Sequence, residues 1–284
     1  MAMTPTEAAL FEAGGPRARR RILIGTVLSA LALVALVAWI IYRFYIKGQL
    51  ASQYWYFFAQ INVWEFIGMG LVGTLRAALG AGAIALVMGL VLMLGRTSRW
   101  APVRWIATAI IEFFRGTPTL LFIYAMFLVP AQMGLKVSTY WMVVIPVSAY
   151  ASAVLAEVYR AGVNAVPNGQ KEAGISLGLS PMQNFVHVVM PQMFRIVTPT
   201  LVTQLVVVVK DTSFGYVVTY PELMVNAKVL IANFSSLIPV YLVVAVIYVL
   251  VNLAISRFAN WLSRRQDTEI LKVDDVVPRG AETA

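Results

Sequence analysis

Seven ionisable residues stand inside or hard against long apolar runs of this chain: Arg76, Glu112, Arg115, Glu157, Arg160, Lys210 and Asp211. A charge at the middle of a membrane span costs about 2.5–3.5 kcal/mol on insertion scales, so each needs a partner charge or a water-filled path. The chemistry open to such groups is ion pairing and the binding of a charged solute. Glu112 and Arg115 are three residues apart, as are Glu157 and Arg160; each pair shares one helix face and can neutralise itself. Lys210 and Asp211 are adjacent, about 100° apart on a helix, and need other partners. With Thr212 and Ser213 they form a polar stretch suited to a solute path or gate. Arg76 is flanked by Leu75, Ala77, Ala78 and Leu79, with no acidic residue within a turn. Either an interspan carboxylate (Glu112, Glu157 or Asp211) or an anionic solute must compensate it, because guanidinium and carboxylate form bidentate pairs.

Covalent and metal chemistry find little footing. There is no cysteine, which excludes disulfides, thiolate metal sites and cysteine nucleophiles. His187 is the only histidine and lacks companions for a metal site. No catalytic residue and no metal ligand is therefore expected. No Gly-x-x-x-x-Gly-Lys-Ser/Thr phosphate loop occurs, so the chain is not expected to hydrolyse ATP itself.

The elements that must position these charges are membrane helices. The chain is 60% hydrophobic and only 12% charged, with a mean hydropathy of +0.78, and its apolar runs reach the roughly twenty residues that cross a bilayer. The reading is an all-α membrane protein with six transmembrane helices, over residues 22–42, 66–94, 106–129, 140–159, 196–218 and 237–261. Basic residues gather at the ends of these runs, as topology signals do, which accounts for the net charge of +9 without nucleic acid. Arg17, Arg19, Arg20 and Arg21 precede the first span, Arg96, Arg99 and Arg104 follow the second, and Arg257, Arg264 and Arg265 close the last; both termini are expected in the cytoplasm. Arg43 and Lys47 dissent at the outer end of the first span, where Arg43 can snorkel to the headgroups. The expected organisation is a cytoplasmic tail over 1–21, a first span with an aromatic outer interfacial segment over 22–64, a core over 65–265, and a polar unstructured tail over 266–284. Gly80, Gly82 and Gly89 are expected to let spans approach closely, and Pro118 and Pro146 to bend helices.

The inside loop 160–192 reads as two short helices. Gly178 can take positive φ and end the first; Ser180 can cap the second, with Pro181 at its first position and Gln183 three residues on, and Pro191 is expected to stop it. Such a loop is either a rigid knob for a partner protein to push on or an amphipathic segment resting on the membrane.

Four motifs decide between these. Glu172-Ala173, Gly178 and Pro191 resemble the EAA loop of ATP-binding-cassette importer permeases, with Gly174 in place of the third residue's usual alanine and Met190 in place of the leucine before proline. Glu112 to Pro118, through Arg115, Gly116 and Thr117, is similar to the FRGTP segment of the polar amino acid permeases of histidine/glutamine type. Lys210-Asp211-Thr212-Ser213 resembles their KDTS segment, and Glu157, Arg160 and Gly162 fit as well. The likeness runs from about Gly70 to Arg264, in the family's order.

The resemblance implies a five-helix permease core to which the first span is an addition, in a bacterial cell membrane. It implies that Glu172, Ala173, Gly174, Gly178 and Pro191 belong to coupling helices that seat in a cleft of a separate ATPase dimer, Glu172 pairing with a basic residue there. The partners would be that ATPase, a second identical or homologous permease subunit and an extracytoplasmic amino-acid-binding protein. ATP and magnesium would sit on the ATPase, with no cofactor on this chain. Substrate-path candidates are Arg76, Glu157, Arg160, Lys210, Asp211, Thr212 and Ser213; gate or structural candidates are Glu112, Arg115, Gly116, Thr117 and Pro118. An uncompensated Arg76 favours an acidic substrate, glutamate or aspartate. The competing reading is an ion-coupled secondary amino acid transporter with Glu157 or Asp211 as its coupling site.

Overall fold

The computed structural model describes residues 15–274; parts of both expected tails, 1–14 and 275–284, lie outside the described residues. It falls into two units, 1–56 and 57–284. The first carries α1, Pro16–Ile46, which starts on a proline at its first turn, where the missing N–H costs nothing.

The second unit holds the core. α2 is Ile61–Arg96, α3 Ala101–Gly116, α4 Thr119–Gln132 and α5 Thr139–Ala165. α6 is Asn168–Ser176 and α7 Pro181–Asn184, followed by a π-turn over Phe185–Val189 and then α8, Met190–Asp211. A 3-10 segment, Thr212–Val218, leads to α9, Leu223–Phe234, and α10, Leu237–Asp274. Among the described residues five helices are long and apolar enough to cross a membrane, or six if the bent pair α3–α4 is one span.

That pair replaces the expected single span over 106–129, with its expected bend at Pro118, by two separate helices. α3 and α4 meet at 100°. Proline disfavours helical backbone in the residue before it, and Thr117, before Pro118, is extended at φ −108 and ψ 133. Pro146, by contrast, lies inside α5, which runs on as one helix.

Three further expectations are corrected. Pro191 does not stop a helix: the π-turn just before it takes up the register change, and the helix continues through α8. The tail from 266 is helical as far as Asp274, as an extension of α10. Within the aromatic segment, Phe57 is buried rather than interfacial and stacks on Phe234 with centroids 4.3 Å apart.

The main core lies where α2 crosses α5 and α8. Ala77, Ala81, Ala85 and Met93 of α2 pack with Val143, Val147, Ala151 and Leu155 of α5 and Met193 and Val197 of α8. Small residues set this approach: a Cβ on Gly89 would lie 2.8 Å from Leu155 Cβ and 3.1 Å from the Ser152 carbonyl. The buried hydroxyls of Ser148 and Ser152 donate to carbonyls of their own helix, Ile145 and Ser148 respectively, and leave the helix surface apolar. A second cluster joins Phe57, Val63 and Ile67 to Leu223, Leu230 and Val240. Polar bonds pin α9 to α2 there: Leu223 N–H donates to Thr74 Oγ1 at 3.2 Å and Asn226 Nδ2 donates to the Phe66 carbonyl at 2.6 Å.

If the α2–α5 approach depends on Gly89, Gly89→Val overpacks it at a cost of about 1–3 kcal/mol. Gly68→Val, on the same helix with open space around its Cβ position, is neutral. Thermal unfolding of the two detergent-solubilised variants reads the difference; equal midpoints would contradict it.

Candidate functional site

The Lys210–Ser213 stretch occupies the place where α8 tightens from α-helical to 3-10 winding. Thr212 is fully buried and its hydroxyl donates to the Val209 carbonyl at 2.7 Å, so it serves the turn. Lys210, Asp211 and Ser213 line an open cavity of about 730 Å³ bounded by Met224 of α9 and by α10, including Tyr241, Tyr248 and Asn252. The Oδ1 of Asn252 is buried with no hydrogen-bond partner among the described residues, an acceptor available to an N–H donor. A second cavity, about 450 Å³, opens at the α3–α4 break against Arg115, Gly116, Thr117 and Pro118, with Tyr150 opposite. Asp211 and Phe214 line both. The fold thus brings together two motifs, 115–118 and 210–213, that are far apart in the chain.

Glu157 and Arg160 line neither cavity. They belong to a five-member ion network across three helices. Arg96 Nη1 donates to Glu157 Oε1 at 2.7 Å and to Glu112 Oε1 at 3.0 Å. Arg160 Nη2 holds the other oxygen of Glu157 at 2.8 Å, and Arg115 lies 3.9 Å from Glu112. The two i,i+3 pairs form as spacing predicts, but Arg96 joins them. Sequence reading had given Arg96 only a topology role, because pairing between α2, α3 and α5 leaves no mark in local spacing.

Arg76 is different. It lies mid-way along α2, is exposed on the isolated subunit, and forms no ion pair among the described residues. Its guanidinium carbon lies 5.2 Å from the Tyr140 ring centroid, a cation–π contact. Of the three intramolecular alternatives, Glu112 and Glu157 are occupied by Arg96, and Asp211 forms no ion pair with Arg76.

The loop between α5 and α8 folds as its caps dictate. Gly178 has φ +82 after α6. Ser180 Oγ accepts from Gln183 N–H at 3.3 Å while Gln183 Oε1 accepts from Ser180 N–H at 2.9 Å, a complete capping box. Glu172 and Ala173 are exposed. Beside them Ile175, Leu177 and Met182 are 59%, 83% and 66% exposed, an apolar tip on a polar loop. Sequence reasoning missed these three, although apolar residues in an otherwise polar loop are the signal that would have found them.

Residues 82–268 match the family described as "Binding-protein-dependent transport system inner membrane component". The chain belongs to this family. It is accordingly a multi-pass permease subunit of an ATP-driven importer, with ATP hydrolysis on a separate subunit. It is similar to the glutamate transport system permease protein GluD of Corynebacterium glutamicum, at 33% identity over 84% of this chain and 90% of the relative. It is also similar to the probable glutamine ABC transporter permease protein GlnM of Bacillus subtilis, at 32% identity over 69% of this chain and 91% of the relative. Among solved structures, that of an amino acid ABC transporter with histidines superposes with a TM-score of 0.69 and 28% identity, covering 74% of this chain and 98% of the other.

If Arg96 is the hub of the ion network, Arg96→Gln removes one partner each from Glu112 and Glu157. The loss should exceed the roughly 0–1 kcal/mol of an isolated surface pair and lower the thermal midpoint. Adding Glu157→Gln should recover part of it; additive losses in that double-mutant cycle would contradict the hub.

Proposed function

We propose that this permease carries a polar amino acid with an acidic side chain, glutamate or aspartate. The observation that carries the proposal is the state of Arg76: a guanidinium half-way along a membrane helix, exposed on the isolated subunit, stacked on Tyr140 and without a carboxylate partner among the described residues. Hydrocarbon does not tolerate such a group, so its face borders a second permease subunit or the water-filled path between the two. A side-chain carboxylate passing along that path would form a bidentate pair with it. The zwitterionic backbone common to all amino acids suits the cavity at the end of α8: Lys210 for the α-carboxylate, and Asp211 with the free Oδ1 of Asn252 for the α-ammonium. The likeness to a permease named for glutamate supports the acidic choice.

The energy enters at the loop. Glu172 and the apolar tip of Ile175, Leu177 and Met182 dock in a cleft of an ATPase dimer, on the cytoplasmic side with both chain termini. An extracytoplasmic binding protein delivers the amino acid to the opposite face. Each group has the chemistry its task needs: an exposed carboxylate for a basic residue of the partner, and an apolar patch whose burial holds the contact.

The test is ATP-driven uptake in proteoliposomes containing the assembled transporter and its binding protein, with labelled glutamate, glutamine, arginine and histidine. Wild type is expected to prefer glutamate. Arg76→Gln should reduce glutamate uptake by about ten-fold or more, the loss of a charge-assisted pair, with the ATPase still bound. Glu172→Lys should abolish uptake of every label. Unchanged glutamate uptake in Arg76→Gln would overturn the acidic assignment.

A further inference from the structure

The EAA-like loop departs from its pattern at Gly174, and the fold supplies a counterpart to that departure. Gly174 is the one buried residue of α6. A Cβ there would overlap Oδ1 of Asn184 and lie 2.8 Å from its Cγ. Asn184 is only 5% exposed, closes α7, and donates from Nδ2 to the Lys171 carbonyl at 2.8 Å, one residue before Glu172. Its short side chain cannot step aside for a methyl group without breaking that bond. Glycine and asparagine therefore fit as a pair: the missing methyl of one makes room for the amide of the other.

The pair matters because little else holds α6. A nine-residue helix is marginal alone, its apolar Ile175 faces outward, and its other side-chain tether is a long bond of 3.4 Å from Gln192 Nε2 to Gln170 Oε1. On the far side of the contact, Asn184 leads directly into the π-turn and α8, which ends at Lys210 and Asp211. We propose that Gly174 and Asn184 form the joint through which movement of the Glu172 helix is passed to the cavity-lining helix α8. Asn184 is a positioning residue in this scheme: close-packed contacts transmit displacement, and loosened ones absorb it. The inference rests on the reading of Glu172 as the ATPase contact.

The test uses the full transporter in proteoliposomes, with Gly174→Ala, Asn184→Ala, the double variant and Glu172→Lys. Gly174→Ala is expected to lower uptake about ten-fold by overpacking. Asn184→Ala should raise the ATP hydrolysed per amino acid delivered by several-fold, since the joint is loosened without added bulk. The double variant, in which the new methyl group fills the space left by the amide, should come back to within about three-fold of wild type in both readings, the signature of coupled sites. A merely structural role would lower the amount of assembled transporter and leave the ATP-to-solute ratio unchanged. An unchanged ratio in Asn184→Ala, or a double variant no better than Gly174→Ala, overturns the joint while a dead Glu172→Lys leaves the ATPase contact standing. If Glu172→Lys transports normally, both fall.

Discussion

Hydrocarbon offers nothing to a charge or to a bare peptide group, and that constraint organises this molecule. Backbone groups are met inside helices, and buried hydroxyls such as those of Ser148 and Ser152 turn back to their own helix. Arg96 gathers two carboxylates, and each carboxylate keeps a second arginine. That network sets three arginines against two carboxylates at the junction of α2, α3 and α5, so every member has an opposite charge beside it. Arg76, Lys210 and Asp211 are left outside it. Paired and unpaired charges thus fall in different parts of the fold.

The path candidates owe their placement to departures from regular α-helix. Thr117 before Pro118 breaks one span and opens a cavity at the break. The change to 3-10 winding after Asp211 turns the end of α8 toward two cavities at once. The π-turn before Pro191 keeps the loop and α8 in one continuous piece of structure. The break and the π-turn each stand beside a proline, which cannot follow the regular pattern, and the three irregularities together link the exposed loop to the cavity wall.

Much of this was legible in the sequence where the cause is local. Gly178, Ser180, Pro181 and Gln183 spell their turn and cap in consecutive residues, and the structure carries both. The i,i+3 pairs were equally plain. What the sequence hid was non-local or quantitative. Arg96 reads as an ordinary inside-loop charge until α3 and α5 are seen beside it. Pro191 reads as a stop because a π-turn that accommodates it has no residue signature. The bend at Pro118 could be anticipated, but its 100° could not, since the angle depends on what packs on either side. The seating of Asn184 on Gly174 is a contact across a loop, invisible to spacing.

The central claim is that Lys210 and Asp211 border water rather than lipid. With no native cysteine in this chain, a thiol introduced at Val206 or Ser213, which share their cavity wall, is the single one it carries. The measurement is the rate at which a membrane-impermeant thiol reagent modifies each in the assembled transporter, with and without saturating glutamate and binding protein. The account predicts modification at both positions, slowed by the amino acid. Thiols that stay unmodified in every condition would mean that this face lies in hydrocarbon, and the account would be wrong.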